Sequence, residues 1–245
     1  CSSDLAMGCD FCATAKGGFD RNLSVGEIVT QFVSLRREAQ AVGRKLQTVV
    51  FMGMGEPMHN FGNVIEAASR MASNDLGGLG CRQITVSTVG IVPGIEALAA
   101  SGLGVNLALS LHAPDDLTRA RLLPAGRRYP VAEIMDAATR FMAVTGRLVT
   151  IQYCLLAGVN DSEAHAQALA ALVGGQRMHI NLLRYNPTGV SLRGVEYAPS
   201  PEAVAEAFAA TLRELGSVAH CRRPRGRDID AACGQLRQRE SVSGR

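Results

Sequence analysis

No run of apolar residues in this 245-residue chain is long enough to span a bilayer, and its first residues do not resemble a secretory signal. A soluble, cytoplasmic protein with no membrane partner is expected. The seven cysteines are an odd number and are not spaced like a disulfide framework, which points to a reducing compartment and to metal-binding or catalytic thiols. Large net charge is lacking too: a formal +3 names no partner. The distribution says more, because residues 217–245 hold seven arginines against three acids, a net of +4. That end is either a basic face for nucleic acid or a solvated tail. With 47% hydrophobic residues the chain is not disordered and can bury one large α/β core or two small ones. It begins with cysteine rather than methionine, so further sequence upstream is expected.

Strand-like runs rich in β-branched residues begin near Thr48, Arg82, Val105, Val149, His179 and Ser217, with helical patterns between them. Ser24 and Glu27 form a capping box ahead of an amphipathic stretch to about Val42. Ser200 reads as an N-cap with Pro201 at the first helical position, and Pro130 to Thr145 keeps helical spacing through Val131, Ile134, Met135, Ala138 and Met142. Strand, loop and helix in repeated order predict an α/β fold, a parallel sheet or open barrel with helices outside. Ligands gather at the carboxyl ends of such strands, so the residues just after each strand carry the chemistry.

Five of those positions are informative: Gly55-Glu56-Pro57, the STVG from Ser87, the SLHA from Ser110, Tyr185-Asn186-Pro187 and the cysteines at Cys9 and Cys12. GMGEPM has G-x-G but places Met58 where a dinucleotide fingerprint needs a third glycine, so Glu56 reads instead as an acceptor for a ligand amine or hydroxyl. Ser110 and His112 flank a strand end, where alternation puts them on one face. A lone histidine there is more often structural than catalytic. Cys9 and Cys12 form a C-x-x-C with Phe11 inside it, a spacing that serves redox exchange, zinc or an iron–sulfur cluster. The loop position and Phe11 favour cluster ligation.

CDFCATAKGGFDRNLS, FMGMGEPMHN, ITVSTVGIVPGI, LALSLHAPDD, LLAGVNDS, NLLRYNP and RGRDIDAACGQL follow one another from the first residues to about Leu236. In wording and order they resemble the radical S-adenosyl-L-methionine (SAM) enzymes that methylate an adenine carbon in RNA, the RlmN/Cfr family. The resemblance implies a radical-SAM partial (β/α)6 barrel over residues 1–216, and a C-terminal strand and loop over 217–245 carrying a methylated cysteine. It also implies a small N-terminal RNA-binding domain that this chain does not contain. The implied cofactors are a 4Fe-4S cluster and SAM. Cys9 and Cys12 match the last two cluster ligands; Gly55, Glu56, Ser87, Ser110, Leu111, His112 and Asn186 match SAM contacts. Cys233 matches the cysteine that carries the methyl group, and Cys1 matches the second catalytic thiol, which resolves the RNA–protein link through a disulfide with Cys233. The implied substrate is C2 of an adenine in single-stranded or loop regions of 23S ribosomal RNA, with transfer RNA as a second, because a stacked base is out of reach. An electron donor such as flavodoxin and a monomeric state complete the implied picture. The related resistance enzymes modify C8, and the shared motifs leave C2 and C8 both open.

The chain departs from the family pattern before Cys9. Leu5 stands four residues upstream, where the first ligand cysteine belongs, and the segment between Ser3 and Ala6 is about two residues short. Cys1 can serve as the third ligand, the cluster can be lost, or the written sequence can be damaged. Cys1 cannot both bind iron and resolve a crosslink. A local deletion in an otherwise functional lineage is the favoured reading, against a non-catalytic RNA-binding homologue without its cluster and a zinc-binding structural protein. Gln152, where family members often have glutamate, and Ala125-Gly126, in place of Ile-Asn, are lesser departures. Cys81, Cys154 and Cys221 match no motif and read as ordinary buried small residues.

Overall fold

The computed structural model describes residues 8–17 and 20–222; Cys1, Leu5, Cys233 and the arginines after Arg222 lie outside the described residues. Helix α1 (Val25–Ala41) opens with the expected capping box: Ser24 Oγ accepts the Glu27 N–H at 3.3 Å, and a Glu27 oxygen accepts the Ser24 N–H at 2.9 Å. Six strands follow: β1 (Val49–Phe51), β2 (Ile84–Thr88), β3 (Asn106–Ser110), β4 (Val149–Leu155), β5 (Met178–Arg184) and β6 (Val218–Arg222). They pair in parallel in the order β1-β2-β3-β4-β5-β6. Each begins within two residues of its expected start.

Between the strands run α2 (Phe61–Ala72), α3 (Val92–Ala100), α4 (Asp116–Leu122), α5 (Val131–Thr145), α6 (Glu163–Val173) and α7 (Glu202–Glu214). Strand order never reverses, and parallel crossovers share one hand, so successive helices fall on the same face of the sheet. This is the α/β architecture of an open, partial (β/α)6 barrel. Its main core lies between sheet and helices: Ile84, Leu107, Ile151 and Ile180 from the strands meet Ile95, Ile134, Phe141, Leu169 and Phe208 from the helices. Helix α5 buries Val131, Ile134, Met135 and Ala138 as its spacing predicts.

Two sequence expectations shift. Helix α7 starts at Glu202 with Pro201 in the cap position, and the Ser200 hydroxyl donates instead to Asp161 Oδ2 at 2.6 Å. A buried hydroxyl gains more from a carboxylate than from a helix end that proline already initiates. Strand β6, read from sequence as part of the 217–245 segment, pairs with β5 along its length and completes the sheet. Among the described residues no helix is long and apolar enough to cross a membrane.

Candidate active site at the carboxyl ends of the strands

The chain leaves β1 through Gly55, whose φ of +87° lies in the left-handed region that glycine enters at little cost. This turn delivers Glu56 to a buried position where Oε1 accepts the Met58 N–H at 3.0 Å and Oε2 accepts the Val89 N–H at 2.9 Å. Burial pushes the Glu56 carboxyl above its ordinary range, and the two N–H groups with the Thr88 hydroxyl pull it back. Glu56 therefore joins the turn after β1 to the turn after β2.

Ser87 on β2 and Ser110 on β3 sit side by side, their hydroxyl oxygens 3.4 Å apart. The next two residues divide as alternation predicts: Leu111 is buried in the main core, and His112 turns toward the same cavity as Ser110. His112 holds φ at +61°, an unusual conformation for a residue with a Cβ. Its Nδ1 accepts the Cys154 N–H at 3.0 Å, and its carbonyl accepts Asn160 Nδ2 at 2.8 Å. Burial, with a smaller push from Arg119, lowers its imidazole to about 3. It is a neutral acceptor that fixes the strand end, the structural role its isolation in sequence suggested.

The cysteine loop packs onto this frame. The Cys12 N–H bonds to the Cys9 carbonyl at 3.0 Å, and a 3-10 turn over Ala13–Gly17 follows. Phe11 meets His112 edge to face, ring centres 5.0 Å apart. Burial pushes the Cys9 thiol up to about 12, with Cys12 and Glu56 adding to it and Arg119 opposing. A bound cation inverts that balance and holds the sulfur as thiolate.

Cys9, Cys12, Gly55, Glu56, Ser87, Ser110 and His112 all line one cavity of about 260 Å³, closed by Phe11, Val89, Gln152 and Leu183. Seven of the residues singled out in sequence thus converge from the cysteine loop, β1, β2 and β3. Leu111 lies behind the wall. Asn186, two residues past β5, is off the wall, yet its Oδ1 is buried with no hydrogen-bond partner among the described residues. Gln152 is on the wall, and its Oε1 accepts from Asn181 Nδ2 at 2.7 Å. Cys1 and Cys233 lie outside the described residues.

Sequence reasoning passed over Asp10, Asn160 and Arg119. Asn160 is fully buried and bonds to Leu156, His112 and Cys154, bridging β3 to β4. Arg119 is 1% exposed, donates to the Val89 carbonyl and has its guanidinium lowered to about 10 by burial. Asp10 and Asn160 fall inside the motifs CDFCATAKGGFDRNLS and LLAGVNDS, whereas Arg119, within α4, carried no signal in sequence. Cys81 and Cys221 pack partly buried against the main core, and Cys154 against the smaller apolar cluster that includes Cys9 and Phe11; burial pushes Cys154 up to about 12.

Hydroxyls, a carboxylate and a glycine backbone edge share an otherwise apolar wall, which suits a ligand with polar groups on an apolar body, and the Asn186 oxygen, off this wall, has no donor among the described residues. For an iron cluster the donor set is incomplete among the described residues, where no group of three metal-binding side chains occurs. Two soft thiols at C-x-x-C spacing fit iron–sulfur ligation.

The profile of the Radical SAM superfamily matches residues 6–169. The probable dual-specificity RNA methyltransferase RlmN 1 of Opitutus terrae is 67% identical over 232 residues, 95% of this chain and 65% of that protein. The probable dual-specificity RNA methyltransferase RlmN of Thermotoga neapolitana is 45% identical over 237 residues, 97% of this chain and 67% of that protein. A crystal structure of a radical SAM methyltransferase from Sphaerobacter thermophilus superposes with a TM-score of 0.89 at 43% identity, covering 94% of this chain and 66% of that one. The chain spans between about half and two thirds of the length of the curated relatives it matches.

Proposed function

The chain belongs to the radical SAM superfamily and, within it, to the RlmN family, and from that premise we propose that it is a methyltransferase acting on C2 of an adenine in 23S ribosomal RNA, with transfer RNA as a second substrate. The observation that carries the reading is the convergence of both C-x-x-C thiols with Gly55, Glu56, Ser87, Ser110 and His112 on one cavity. Cys9 and Cys12 would serve as two ligands of a 4Fe-4S cluster, and Cys1 would supply a third thiolate or resolve the crosslink. Cluster and SAM together supply radical chemistry, which an aromatic C–H carbon requires because it is too weak a nucleophile for simple displacement. Glu56 and the Gly55 backbone, the Ser87 and Ser110 hydroxyls and the His112 backbone would contact SAM from the cavity wall, and Asn186 Oδ1 would accept from a ligand N–H or O–H. Cys233 carries the methyl group. Val89, Phe11 and Leu183 keep water from the reacting atoms.

Iron and acid-labile sulfide after anaerobic reconstitution, with an electron paramagnetic resonance spectrum before and after SAM, test the reading. About four irons per chain and a spectrum that shifts with SAM are expected. No cluster means that Leu5 has ended radical chemistry in this chain, leaving either the RNA-binding homologue or an error in the opening dozen residues of the sequence. In a cluster-containing chain, Cys233→Ala removes methyl transfer; methylated adenine from that variant would sink the assignment of Cys233.

A further inference from the structure

Of the two residues between Cys9 and Cys12, Asp10, to which the sequence assigned no role, makes the side-chain hydrogen bonds. Asp10 is 1% exposed. Its Oδ2 accepts the Ser191 hydroxyl at 3.0 Å and the Tyr197 hydroxyl at 2.8 Å, and its Oδ1 accepts the Arg193 N–H at 3.1 Å. Its own N–H donates to the Leu122 carbonyl at the end of α4, at 2.9 Å. Lys16, four residues past Cys12, donates to the Thr188 carbonyl. The segment so gripped, 188–197, lies just past β5 and immediately after Asn186 and Pro187. Tyr185 ties it down from inside: its hydroxyl bonds to Thr188 Oγ1 at 2.9 Å, and its ring packs against Tyr197.

A buried carboxylate is costly unless its lone pairs are filled, and three donors from one segment fill them here. All three lie more than 180 residues away in sequence, so the bonds restrain tertiary geometry rather than local backbone. Ser191 also accepts the Val195 and Arg193 N–H groups, which folds the donor segment into a compact turn shaped to the carboxylate.

We propose that Asp10 is a positioning residue that latches the 188–197 segment onto the cysteine loop, so that Cys9, Cys12 and Asn186 are held as one unit before any cofactor binds. The latch is built from protein groups alone. It keeps the cysteine loop in place in a chain whose loop has lost the family's first ligand position. Its consequence for cofactor binding rests on the proposed SAM site; its consequence for the loop does not.

The test uses the full chain and two variants, Asp10→Asn and Tyr197→Phe. Asparagine keeps the shape but turns an amide N–H₂ toward converging donors, and phenylalanine removes one donor from the other side. With metal removed, the rate of alkylation at each cysteine is read by mass spectrometry under conditions where all three proteins are folded. Labelling of Cys9 and Cys12 is expected to rise about tenfold in Asp10→Asn and less in Tyr197→Phe, with Cys81 and Cys221 unchanged. A general loss of stability would raise all four together, and that result, or no change at Cys9 and Cys12, overturns the latch. SAM affinity by calorimetry is read in parallel and is expected to fall about tenfold in Asp10→Asn. An unsubstituted chain that does not bind SAM overturns the proposed function, while the labelling pattern still decides the latch.

Discussion

Asn186 Oδ1 is an acceptor held out of water without a donor among the described residues, a state that costs about 1–3 kcal/mol unless a ligand relieves it. Asn186→Ala is therefore expected to leave thermal stability unchanged or slightly raised while weakening SAM binding about tenfold, a split that calorimetry and thermal denaturation resolve together. His112 makes the opposite kind of prediction. Its folded-state pKa of about 3 lies below the ordinary histidine value of 6.5, so the neutral ring favours folding. That stability is complete above pH 6.5 and drains as pH falls toward 3, at up to ~1.4 kcal/mol per pH unit. Denaturant titrations at pH 7.5, 6 and 5 are expected to show the decline, and His112→Gln, which keeps an acceptor, to flatten it. Motif order identified both residues. It could not say that His112 is a buried acceptor for Cys154, because that bond joins β3 to β4 across 42 positions.

Elements here are specified locally at their beginnings and by packing elsewhere. The α1 capping box involves residues three apart, so it is readable from sequence, and Ser24→Ala is expected to cost about 1 kcal/mol in unfolding free energy. Helix α3 carries a constraint that no local pattern reveals. A Cβ on Gly94 would stand 2.7 Å from the Met58 side chain, just after Glu56. Gly94→Ala is thus expected to destabilise by about 1–3 kcal/mol and to shift the Glu56 turn, detectable as a lower unfolding midpoint together with weaker SAM binding. Ser200 shows the limit of cap reading: its hydroxyl found Asp161, on the loop after β4. Sequence indicated where helices start; which side chain each cap atom meets depended on neighbouring loops.

Across the whole molecule, the continuous core from Ile28 and Phe32 on α1 to Ala219 on β6 makes the described residues one cooperative body. A chain ending at Gly216 would lose β6 and expose the edge of β5, so it is expected to self-associate more than the full chain, measurable by size-exclusion chromatography of the two side by side. Alternating strand and helix patterns were enough to indicate a parallel α/β sheet, because period-2 and period-3.6 hydrophobicity are properties of neighbouring residues. The motif string was likewise enough to mark the cysteines by their own spacing, and the Gly55-Glu56 turn, Ser87, Ser110 and His112 by the strand ends that the pattern locates. The convergence of those ends on one cavity, the bracing of Val89 by Glu56 and Arg119, and the grip of Asp10 on Ser191, Arg193 and Tyr197 were settled only by folding. Periodicity records which face a residue takes on its own element. Bonds between loops far apart in the chain depend on how the strands are ordered and curved, and that geometry exists only once the sheet has formed.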